Sequence, residues 1–323
     1  MSSPSQSPDM PAVIAVLGPT AIGKTALAEA LALDLGGEIV SADAMQVYRG
    51  MDIGTAKPGP DERAVPYHCI DLVDPGAPYS AARFQHDARS AIGDIAARKH
   101  VPILSGGTGL YVRAALDDWS FPSGEAATPR RERLEAFADE VGPERLHARL
   151  AERDPKAAEH IHPNNVRRVV RALEMLEAGT SYADQAARFT ERRSVYDVRM
   201  LGLAMDRAAL YARIDRRVDE MLAAGLLEEV RSLLAGGFRE ALTAAQAIGY
   251  KELVPVVEHG TDLAAAVASI KQATRRYAKR QMTWFRADPR MMWIDVTELS
   301  VEQVRSAALR LVESRERLAP PDA

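Results

Sequence analysis

From the sequence we predict an α/β fold, in which helices flank a parallel sheet, with a helical insertion domain and a helix-rich C-terminal part. Short apolar runs alternate with longer helical patterns up to residue 107, and strands that are joined through helices run parallel. Over residues 128–195 the strand-like runs disappear and Arg, Glu and Ala dominate, which is typical of a helical insertion. We therefore expect the core at 11–127 and 196–315, and the insertion domain at 128–195.

The elements of the core follow from apolar runs and helix-end signals. PAVIAVL, bounded by Pro11 and Gly18, predicts a buried strand, and KTALAEALALDLG predicts a helix that ends at a glycine. EIVSAD predicts a second strand, SAARFQHDARSAIGDIAARK a helix capped by Ser80, and VPILSGG a third strand that enters a glycine turn. Later in the chain, VRMLGLAM and MMWIDV predict two more strands.

Helical patterns also fill the insertion, in the segments PRRERLEAFADEVGPERLHARLAERD and NNVRRVVRALEMLEAG. The two ends of the chain are polar and carry prolines, as in MSSPSQSPDM and LAPPDA. We expect disordered tails at residues 1–10 and 316–323.

The composition is that of a soluble globular protein, with 47% hydrophobic and 27% charged residues in 323. The formal net charge is -4, so the total does not indicate a nucleic-acid partner, although totals conceal local patches. The single cysteine, Cys69, excludes an intramolecular disulfide and agrees with the reducing cytoplasm, where we expect the protein. No window approaches the roughly 18 apolar residues of a membrane span, so we expect no membrane association. We expect a monomer, because no exposed apolar repeat demands a partner.

Residues 18–25, GPTAIGKT, fit the pattern Gly-x-x-x-x-Gly-Lys-Thr of a phosphate-binding loop. A strand precedes the loop and a helix follows it, so backbone N–H groups and the positive end of the helix point at one place. This makes the predicted sheet P-loop NTPase-like. A glycine turn with a solvated lysine is the weaker alternative. The expected diphosphate ligands are Gly18, Pro19, Thr20, Ala21, Ile22, Gly23, Lys24 and Thr25, with the Thr25 hydroxyl also able to bind Mg²⁺.

In ATPases and GTPases of this class, the strand before the phosphate loop is accompanied by another strand that ends in Asp, and this Asp holds Mg²⁺. The corresponding segment here, VPILSGGTG, ends in Ser105 and glycines. This weakens the interpretation as an NTPase and favours a transferase that uses a phosphorylated substrate.

The segment SADAMQVYRGMDIGTAKP, residues 41–58, follows the second predicted strand. Ligands of open parallel sheets lie beyond the carboxyl ends of the strands, so Asp43 is expected near the phosphate loop. Its position alone leaves three roles open: a base, a ligand of metal-bound water or a structural cap. Lys57 could reach phosphate or face solvent, and we favour solvent.

Six segments occur together and in this order: GPTAIGKT, SADAMQVYRGMDIGTAKP, GGTGLY, IHPNNVRRVVRALE, QAIGYKE and RRYAKRQMTWFR. With them the chain resembles the bacterial tRNA dimethylallyltransferase family, also called tRNA isopentenyltransferases, from about Val13 to Trp293. The phosphate loop is shared by many families, whereas MDIGTAKP together with QAIGYKE is far more specific.

The resemblance implies transfer of a dimethylallyl group from its diphosphate to N6 of the adenosine 3′-adjacent to the anticodon of tRNA. The phosphate loop would then hold the diphosphate leaving group, with Mg²⁺ as cofactor, and not ATP. By the same resemblance Thr20 contacts the diphosphate, Asp43 accepts the N6 proton, and Arg217 matches the family's arginine in ARIDRRVDEML. For Arg213, one turn earlier, we favour an ion pair with a neighbouring acid.

The resemblance also implies contacts with the tRNA anticodon stem-loop. At position 44 the family usually has Ser, and Ala44 loses any hydroxyl contact with tRNA there. A second departure from the family lies in the phosphate loop, where Ile22 stands at a position at which a small polar residue is common. The implied tRNA contacts are Asp43, Ala44, Met45, Gln46, Thr108, Arg131, Arg167, Arg168, Val169, Val170, Arg171, Gln246, Ala247, Ile248, Gly249, Tyr250 and Lys251.

Residues 271–290 carry seven Lys or Arg and one Asp, a local balance of +6. On a helix, Lys271, Arg275 and Lys279 form a stripe that could bind RNA phosphates, with Arg276 and Arg280 beside it. The aromatic residues of the segment could stack on bases, although we favour core positions for them; they are Tyr277, Trp284 and Phe285.

Three alternatives remain open from the residues themselves. The first is a phosphate-loop kinase for a small metabolite, which would consume ATP. The second is an RNA-binding module with a relic loop, against which intact Lys24, Thr25 and Asp43 speak. The third is prenylation of free AMP, which would not need the basic helices.

Overall fold

The computed structural model describes residues 10–121, 129–241 and 243–314. The predicted tails therefore lie outside the described residues apart from Met10, as does the predicted domain boundary at 127/128. The chain divides into two compact units. The smaller unit is Asp118–Arg193, and the larger one consists of the described residues on either side of it.

A sheet of six parallel strands forms the centre of the larger unit, in the order β3-β2-β4-β1-β5-β6. The five strands predicted from apolar runs are confirmed, and the sixth, β3, has only two residues and gave no such run. Their bounds are β1 Ala12–Leu17, β2 Gly37–Ser41, β3 Tyr67–His68, β4 Val101–Gly106, β5 Asp197–Ala204 and β6 Met291–Asp295.

Helices occur in both sequence segments of the larger unit and make up most of the smaller unit. Those of the larger unit are α1 Lys24–Leu35, α2 Ala81–Ala97, α3 Gly109–Leu116, α9 Arg207–Ala223, α10 Leu226–Ala235, α11 Tyr250–His259, α12 Leu263–Arg286 and α13 Val301–Glu313. Those of the smaller unit are α4 Pro129–Val141, α5 Pro143–Arg153, α6 Pro155–His160, α7 Val166–Glu177 and α8 Tyr182–Thr190.

The two central strands, β1 and β4, are mostly apolar because both faces of a parallel sheet are covered. Leu27 and Leu31 of α1 are buried against this sheet, and Gly36 ends the helix with φ 63°, a conformation that favours glycine. The Oγ of Ser80 accepts a hydrogen bond from the Arg83 amide, which confirms the predicted cap of α2.

The smaller unit has a core of its own. Leu134, Leu146, Leu150 and Leu173 are buried in it. The long helical pattern predicted over residues 129–154 is interrupted at Gly142, whose φ of 81° separates α4 from α5.

The parallel arrangement brings the carboxyl ends of all strands to one edge of the sheet. At this edge the β4 turn lies so close to the segment after β2 that a Cβ on Gly106 would be 2.3 Å from the carbonyl oxygen of Ala42. The phosphate loop after β1 and the segment of Asp43 after β2 therefore meet with only β4 between their strands. Among the described helices, none has both the length and the apolar character needed to cross a membrane.

A buried carboxylate lies at the opposite, amino edge of the sheet. Glu38 accepts hydrogen bonds from His68 Nε2 at 2.7 Å, from His100 Nδ1 at 2.6 Å and from Arg98 Nη2 at 2.7 Å. Burial by itself raises the pKa of Glu38, but the hydrogen bonds from Arg98 and the two histidines outweigh it and lower the pKa to about 2. This carboxylate joins β2, β3 and the loop before β4.

Replacement of Glu38 by Gln should destabilise the protein at neutral pH by about 1.5–3 kcal/mol, the range for hydrogen bonds to a charged group. Because the folded-state pKa lies below the ordinary 4.5, this stabilisation is complete above pH 4.5 and is lost as the pH falls from there towards 2. Chemical denaturation of wild type and Glu38→Gln at several pH values measures the difference. Glu298→Gln, at an exposed position, is the control and should match the wild type; a Glu38 effect that stays constant down to pH 2 would contradict the assignment.

Candidate active site

A cavity of about 1210 Å³ opens at the carboxyl edge of the sheet in the larger unit. Its walls come from the phosphate loop, the segment after β2, the turn after β4, one face each of α9 and α12, and residues 246–251. Segments that are far apart in the sequence therefore line one space.

The predicted phosphate loop has two kinds of residue. Gly18, Pro19 and Ile22 are buried and shape the loop, with Ile22 joining the hydrophobic core. A Cβ on Gly18 would be 3.1 Å from the carbonyl oxygen of Leu203, so the position suits glycine. The other residues of the loop line the cavity, and these are Thr20, Ala21, Gly23, Lys24 and Thr25.

The ammonium group of Lys24 is held inside this loop. Its Nζ donates a hydrogen bond to the carbonyl oxygen of Pro19 at 2.6 Å. Burial and the nearby Arg217 lower the pKa of Lys24 to about 7, and Asp43 opposes this shift. A polyanion in the cavity would stabilise the charged form of Lys24, since it adds negative charge next to the ammonium group.

Asp43 lies at the turn that leads out of β2. Its Oδ1 accepts a hydrogen bond from the Met45 amide at 2.9 Å, and the Ala44 amide donates to Thr108 Oγ1 at 3.1 Å. Asp43 therefore also caps its own turn, one of the three roles that the sequence left open. Burial lowers the pKa of Arg217 on α9, and the Asp43 carboxylate opposes that shift, so charges of both signs face one another here.

Gln281 on α12 joins the phosphate loop to the turn after β4. Its Oε1 accepts from the Thr20 amide at 2.9 Å, and its Nε2 donates to the carbonyl oxygen of Gly107 at 2.9 Å. The side chain is buried, with 5% exposed. Sequence analysis missed this residue; the available signal was a Gln on the helix face that also carries Ala278 and Phe285, both buried.

The cavity is strongly basic, although the chain is acidic overall. Eight Lys or Arg and three Asp or Glu line it, an excess of five positive charges against a net charge of -4 for the chain, although one of the eight, Lys57, is paired with Asp52 and Asp71 outside the cavity wall. A cavity of this charge favours anionic ligands. The basic residues are Lys24, Lys57, Arg213, Arg216, Arg217, Lys251, Arg276 and Arg280, and the acidic ones are Asp43, Glu62 and Glu220.

Family models and known relatives agree on one family. A model described as IPP transferase matches residues 46–288, and one described as isopentenyl transferase matches residues 11–64. A tRNA dimethylallyltransferase of Geobacillus thermodenitrificans is 48% identical over 287 residues, which are 88% of this chain and 91% of the relative. That of Symbiobacterium thermophilum is 52% identical over 288 residues, 88% of this chain and 89% of the relative. The chain belongs to the tRNA dimethylallyltransferase family.

Solved structures of the family share the fold. A tRNA isopentenylpyrophosphate transferase from Staphylococcus epidermidis matches with a TM-score of 0.70 and 39% identity, covering 95% of this chain and 100% of that one. A eukaryotic dimethylallyltransferase acting on tRNA matches with a TM-score of 0.78 and 29% identity, covering 93% of this chain and 78% of that one. The predicted fold class and family are confirmed.

Lys57, in the segment MDIGTAKP, neither reaches the phosphate loop nor faces solvent. Its Nζ donates to the carbonyl oxygen of Tyr48 at 2.6 Å and to the carboxylates of Asp52 and Asp71, each at 2.7 Å. Only 2% of its side chain is exposed. Both sequence alternatives are therefore wrong, because two carboxylates and a carbonyl compensate the burial of this ammonium.

The predicted basic stripe of α12 is largely used within the fold. Lys271 and Arg275 form ion pairs with Asp219 and Asp215 of α9, at 2.7 Å and 2.5 Å. These pairs hold α12 against α9, so the prediction of a free stripe is wrong for both. Arg276 and Arg280 are exposed and line the cavity, and Lys279 is exposed.

The three aromatic residues of α12 do not share one environment. Phe285 is buried in the core, as favoured from the sequence, and Tyr277 is half-buried and lines the cavity. Trp284 is 45% exposed, which contradicts the core position favoured for it. A Cβ on Gly109 would be 2.1 Å from the Trp284 ring, so the indole packs closely against the start of α3.

Arg213 does not form the ion pair that we favoured. It is exposed and lines the cavity one turn before Arg217, and no carboxylate of the described residues pairs with it. Arg213 therefore adds a free positive charge to the cavity wall.

Residues 246–251 differ in how far they are exposed. Gln246 and Lys251 are exposed at the cavity, whereas Ala247 and Tyr250 are buried. All of them line the cavity, so the tRNA contacts that the resemblance implies for this segment, those of Ala247 and Tyr250 included, remain a prediction.

In the smaller unit, the residues of the implied contacts fall into three groups. Val169 and Val170 are buried in its core, so their side chains are withdrawn from any RNA. Arg131 and Arg171 both pair with Glu174 of α7 at 2.8 Å; the pair with Arg131 joins α4 to α7, and the pair with Arg171 lies within α7. Arg167 and Arg168 are exposed.

The phosphate loop is suited to bind Mg²⁺ together with a phosphate ligand. In the parts of the chain that the structure describes, no group of three or more His, Cys, Asp or Glu could hold a metal ion. Thr25, in the first turn of α1, offers a hydroxyl at the cavity. Mg²⁺ keeps several waters and takes its remaining ligands from one or two protein groups and substrate phosphates, which this arrangement allows.

Replacement of Gln281 by Leu should weaken the binding of inorganic diphosphate by roughly five- to thirtyfold, because the Thr20 amide and the Gly107 carbonyl lose their partners. Calorimetric titration with diphosphate and Mg²⁺ measures the affinity. Gln272→Leu, at an exposed position of the same helix, is the control and should bind as the wild type does. Equal affinities for all three proteins would remove Gln281 from the phosphate site.

Proposed function

We propose that the protein transfers a dimethylallyl group from dimethylallyl diphosphate to N6 of the adenosine 3′-adjacent to the anticodon in tRNA, with release of diphosphate. One observation carries the proposal. The phosphate-loop residues Lys24 and Thr25 line the same basic cavity as Asp43 and Arg217, so an anion-binding site and a carboxylate face one ligand space.

The difficult part of this reaction is the negative charge that develops on the leaving diphosphate. As the bond from the allylic carbon to the diphosphate oxygen breaks, its electron pair goes to the oxygen. We propose that Lys24, Arg217 and the loop amides stabilise that charge, and Lys24 and Arg217 are already partly withdrawn from water. Mg²⁺, held by Thr25 and the phosphates, would supply further stabilisation of the leaving group.

Asp43 is the proposed acceptor of the proton that N6 loses. The new bond joins N6 to the allylic carbon, and one N6 proton must leave for the product to be neutral. Asp43 Oδ1 is used by the Met45 amide, which fixes the carboxylate and leaves Oδ2 for the substrate. An adenine in a stem-loop must leave its stack to reach this cavity, which costs a few kcal/mol.

Exposed arginines on both units are proposed to hold the tRNA. Arg276 and Arg280 lie at the cavity, and Arg167 and Arg168 lie on the smaller unit, for which we propose a tRNA-binding role. Contacts of this kind set affinity and position but do not read sequence. A monomeric state and a cytoplasmic location remain predictions, as do the other tRNA contacts implied for the two units.

The alternative of a small-metabolite kinase has less support. In that class a carboxylate holds Mg²⁺ from the end of a strand other than the one that leads into the phosphate loop. Here β4, the neighbour of β1, ends at Ser105 and Gly106, and Gly106 is packed against Ala42. Formation of ADP from ATP in the presence of candidate acceptors would favour the kinase.

The direct test is incubation with dimethylallyl diphosphate, Mg²⁺ and unmodified tRNA, followed by digestion and mass analysis of the nucleosides. We expect an adenosine heavier by one dimethylallyl group in place of a hydrogen. A parallel reaction with free AMP tests the remaining alternative, and modification of AMP but not of tRNA would overturn the proposal.

Replacement of Asp43 by Asn should lower turnover by about 10²–10⁴, the usual contribution of a general base. Asn retains an oxygen for the Met45 amide, so the turn should remain while proton acceptance is lost. Affinity for inorganic diphosphate should stay near the wild-type value. Single-turnover kinetics and calorimetry measure the two effects. Glu62→Gln, at another carboxylate of the cavity, is the control and should turn over as the wild type does.

Replacement of Arg276 and Arg280 together by Gln should weaken tRNA binding without affecting diphosphate. Each lost phosphate contact should reduce the slope of log affinity against log salt by about 0.7–0.9. The matched control replaces Lys271 and Arg275, which are paired with aspartates and should change stability more than the salt slope. Binding measured at several salt concentrations decides between them. If the salt slope changes only in the control variant, the RNA lies along Lys271 and Arg275 of α12 instead.

A further inference from the structure

The carboxylate of Glu229, on α10, is bound by four donors. Its Oε2 accepts from the amides of Asp52 at 3.0 Å and Ile53 at 2.8 Å. Its Oε1 accepts from the amide of Gly54 at 3.2 Å and from the hydroxyl of Tyr250 at 2.6 Å. Three consecutive amides that point at one carboxylate form a small anion-binding concavity, and the protein fills it with its own side chain.

This carboxylate connects two segments that line the cavity without lining it itself. Residues 54–58 follow the three amides, and residues 246–251 include Tyr250. The two segments are in close contact, because a Cβ on Gly54 would be 2.5 Å from the Tyr250 ring. Glu229 is not among the cavity-lining residues, so any influence on a ligand must pass through these segments.

The first segment reaches a side chain that does face the cavity. The carbonyl oxygen of Thr55 accepts a hydrogen bond from Gln46 Nε2 at 3.4 Å, and Gln46 Oε1 accepts from Ser41 Oγ at 2.8 Å. Since a backbone carbonyl can only accept, the contact with Thr55 fixes which way the Gln46 amide points. Ser41 is the last residue of β2, two positions before Asp43.

The fixed amide of Gln46 retains one N–H and one acceptor site. A Gln amide that offers one donor and one acceptor matches the N6 amine and N7 of adenine. Gln46 lines the cavity together with Asp43, the proposed proton acceptor. An adenine edge held by Gln46 would bring its N6 amine to the carboxylate side of the cavity.

We infer that Glu229 is a positioning residue for the acceptor base: it holds residues 52–55 and Tyr250 in place and thereby orients the Gln46 amide towards the adenine edge. The inference rests on the proposed function and adds to it the group that selects the base. Glu229 does not touch the substrate. Its contribution comes from charge-assisted hydrogen bonds, which hold backbone amides more firmly than neutral ones do.

The test is Glu229→Gln, studied by steady-state kinetics with tRNA and by calorimetry with inorganic diphosphate and Mg²⁺. A carboxamide offers only one acceptor oxygen, so it loses either two amides or the pair of Gly54 and Tyr250. We expect kcat/KM for tRNA to fall by roughly ten- to hundredfold, mostly through KM, as misplaced positioning groups do. Diphosphate affinity should stay at the wild-type value.

A double-variant cycle with Gln46→Ala identifies the route. If Glu229 acts through Gln46, the combined variant should lose no more activity than the more damaging single change. The control is Glu228→Gln, which changes the preceding residue of α10, exposed and paired only with Arg231 among the described residues, and should leave all values unchanged. If the activity losses of the two single variants multiply fully in the combined variant, Glu229 is a general stabiliser and the inference is overturned. The same follows if the diphosphate affinity of Glu229→Gln falls as much as its kcat/KM for tRNA.

Should Glu229→Gln fail to fold, Tyr250→Phe gives the answer, because it removes one hydroxyl and keeps the ring against Gly54 and Phe238. We expect a smaller rise of KM for tRNA in the same direction, and a wild-type KM would overturn the inference. Absence of any transfer by the wild type would instead refute the proposed function itself.

Discussion

The parallel alignment of β2, β4 and β1 is the constraint on which the rest of the larger unit depends. Strands that run the same way end at the same edge, so the loops that follow them must share one space. The close approach of Gly106 to Ala42 leaves no room for a side chain between the turn after β4 and the segment of Asp43. The phosphate loop and the Asp43 carboxylate therefore line the same cavity, although β4 lies between the strands that precede them.

Charge is arranged around this edge in two ways. Within the cavity, Lys24 and Arg217 are partly withdrawn from water and face Asp43, so their charges are available to a polyanionic ligand. Elsewhere the basic residues are compensated by carboxylates: Lys57 by two aspartates, and Arg275 by Asp215. The same residue types thus serve binding in one place and packing in another, and the distinction lies in whether an acid is within reach.

Hydrogen bonds across long sequence separations hold the walls of the cavity. Gln281 joins the phosphate loop to the turn after β4, and Glu229 joins residues 52–54 to Tyr250. Both are polar side chains that bind backbone groups for which no strand or helix supplies a partner. Such groups must be satisfied when they are buried, which makes these two residues part of the site although neither was found from the sequence.

The sequence by itself determined five of the six strands, the phosphate loop, the family and the order in which these elements follow one another. Each of these depends on local pattern: apolar runs, glycine positions, and motif residues at fixed spacing. Only the tertiary structure decided which side chains are free. Arg213 and Arg276 reach the cavity whereas Lys271 does not, and Val170 and Tyr250 are buried. The physical reason is that a charge or an aromatic ring has the same local signature whether it faces solvent, a ligand or a partner from another helix, and that choice is made by contacts between residues far apart in the chain.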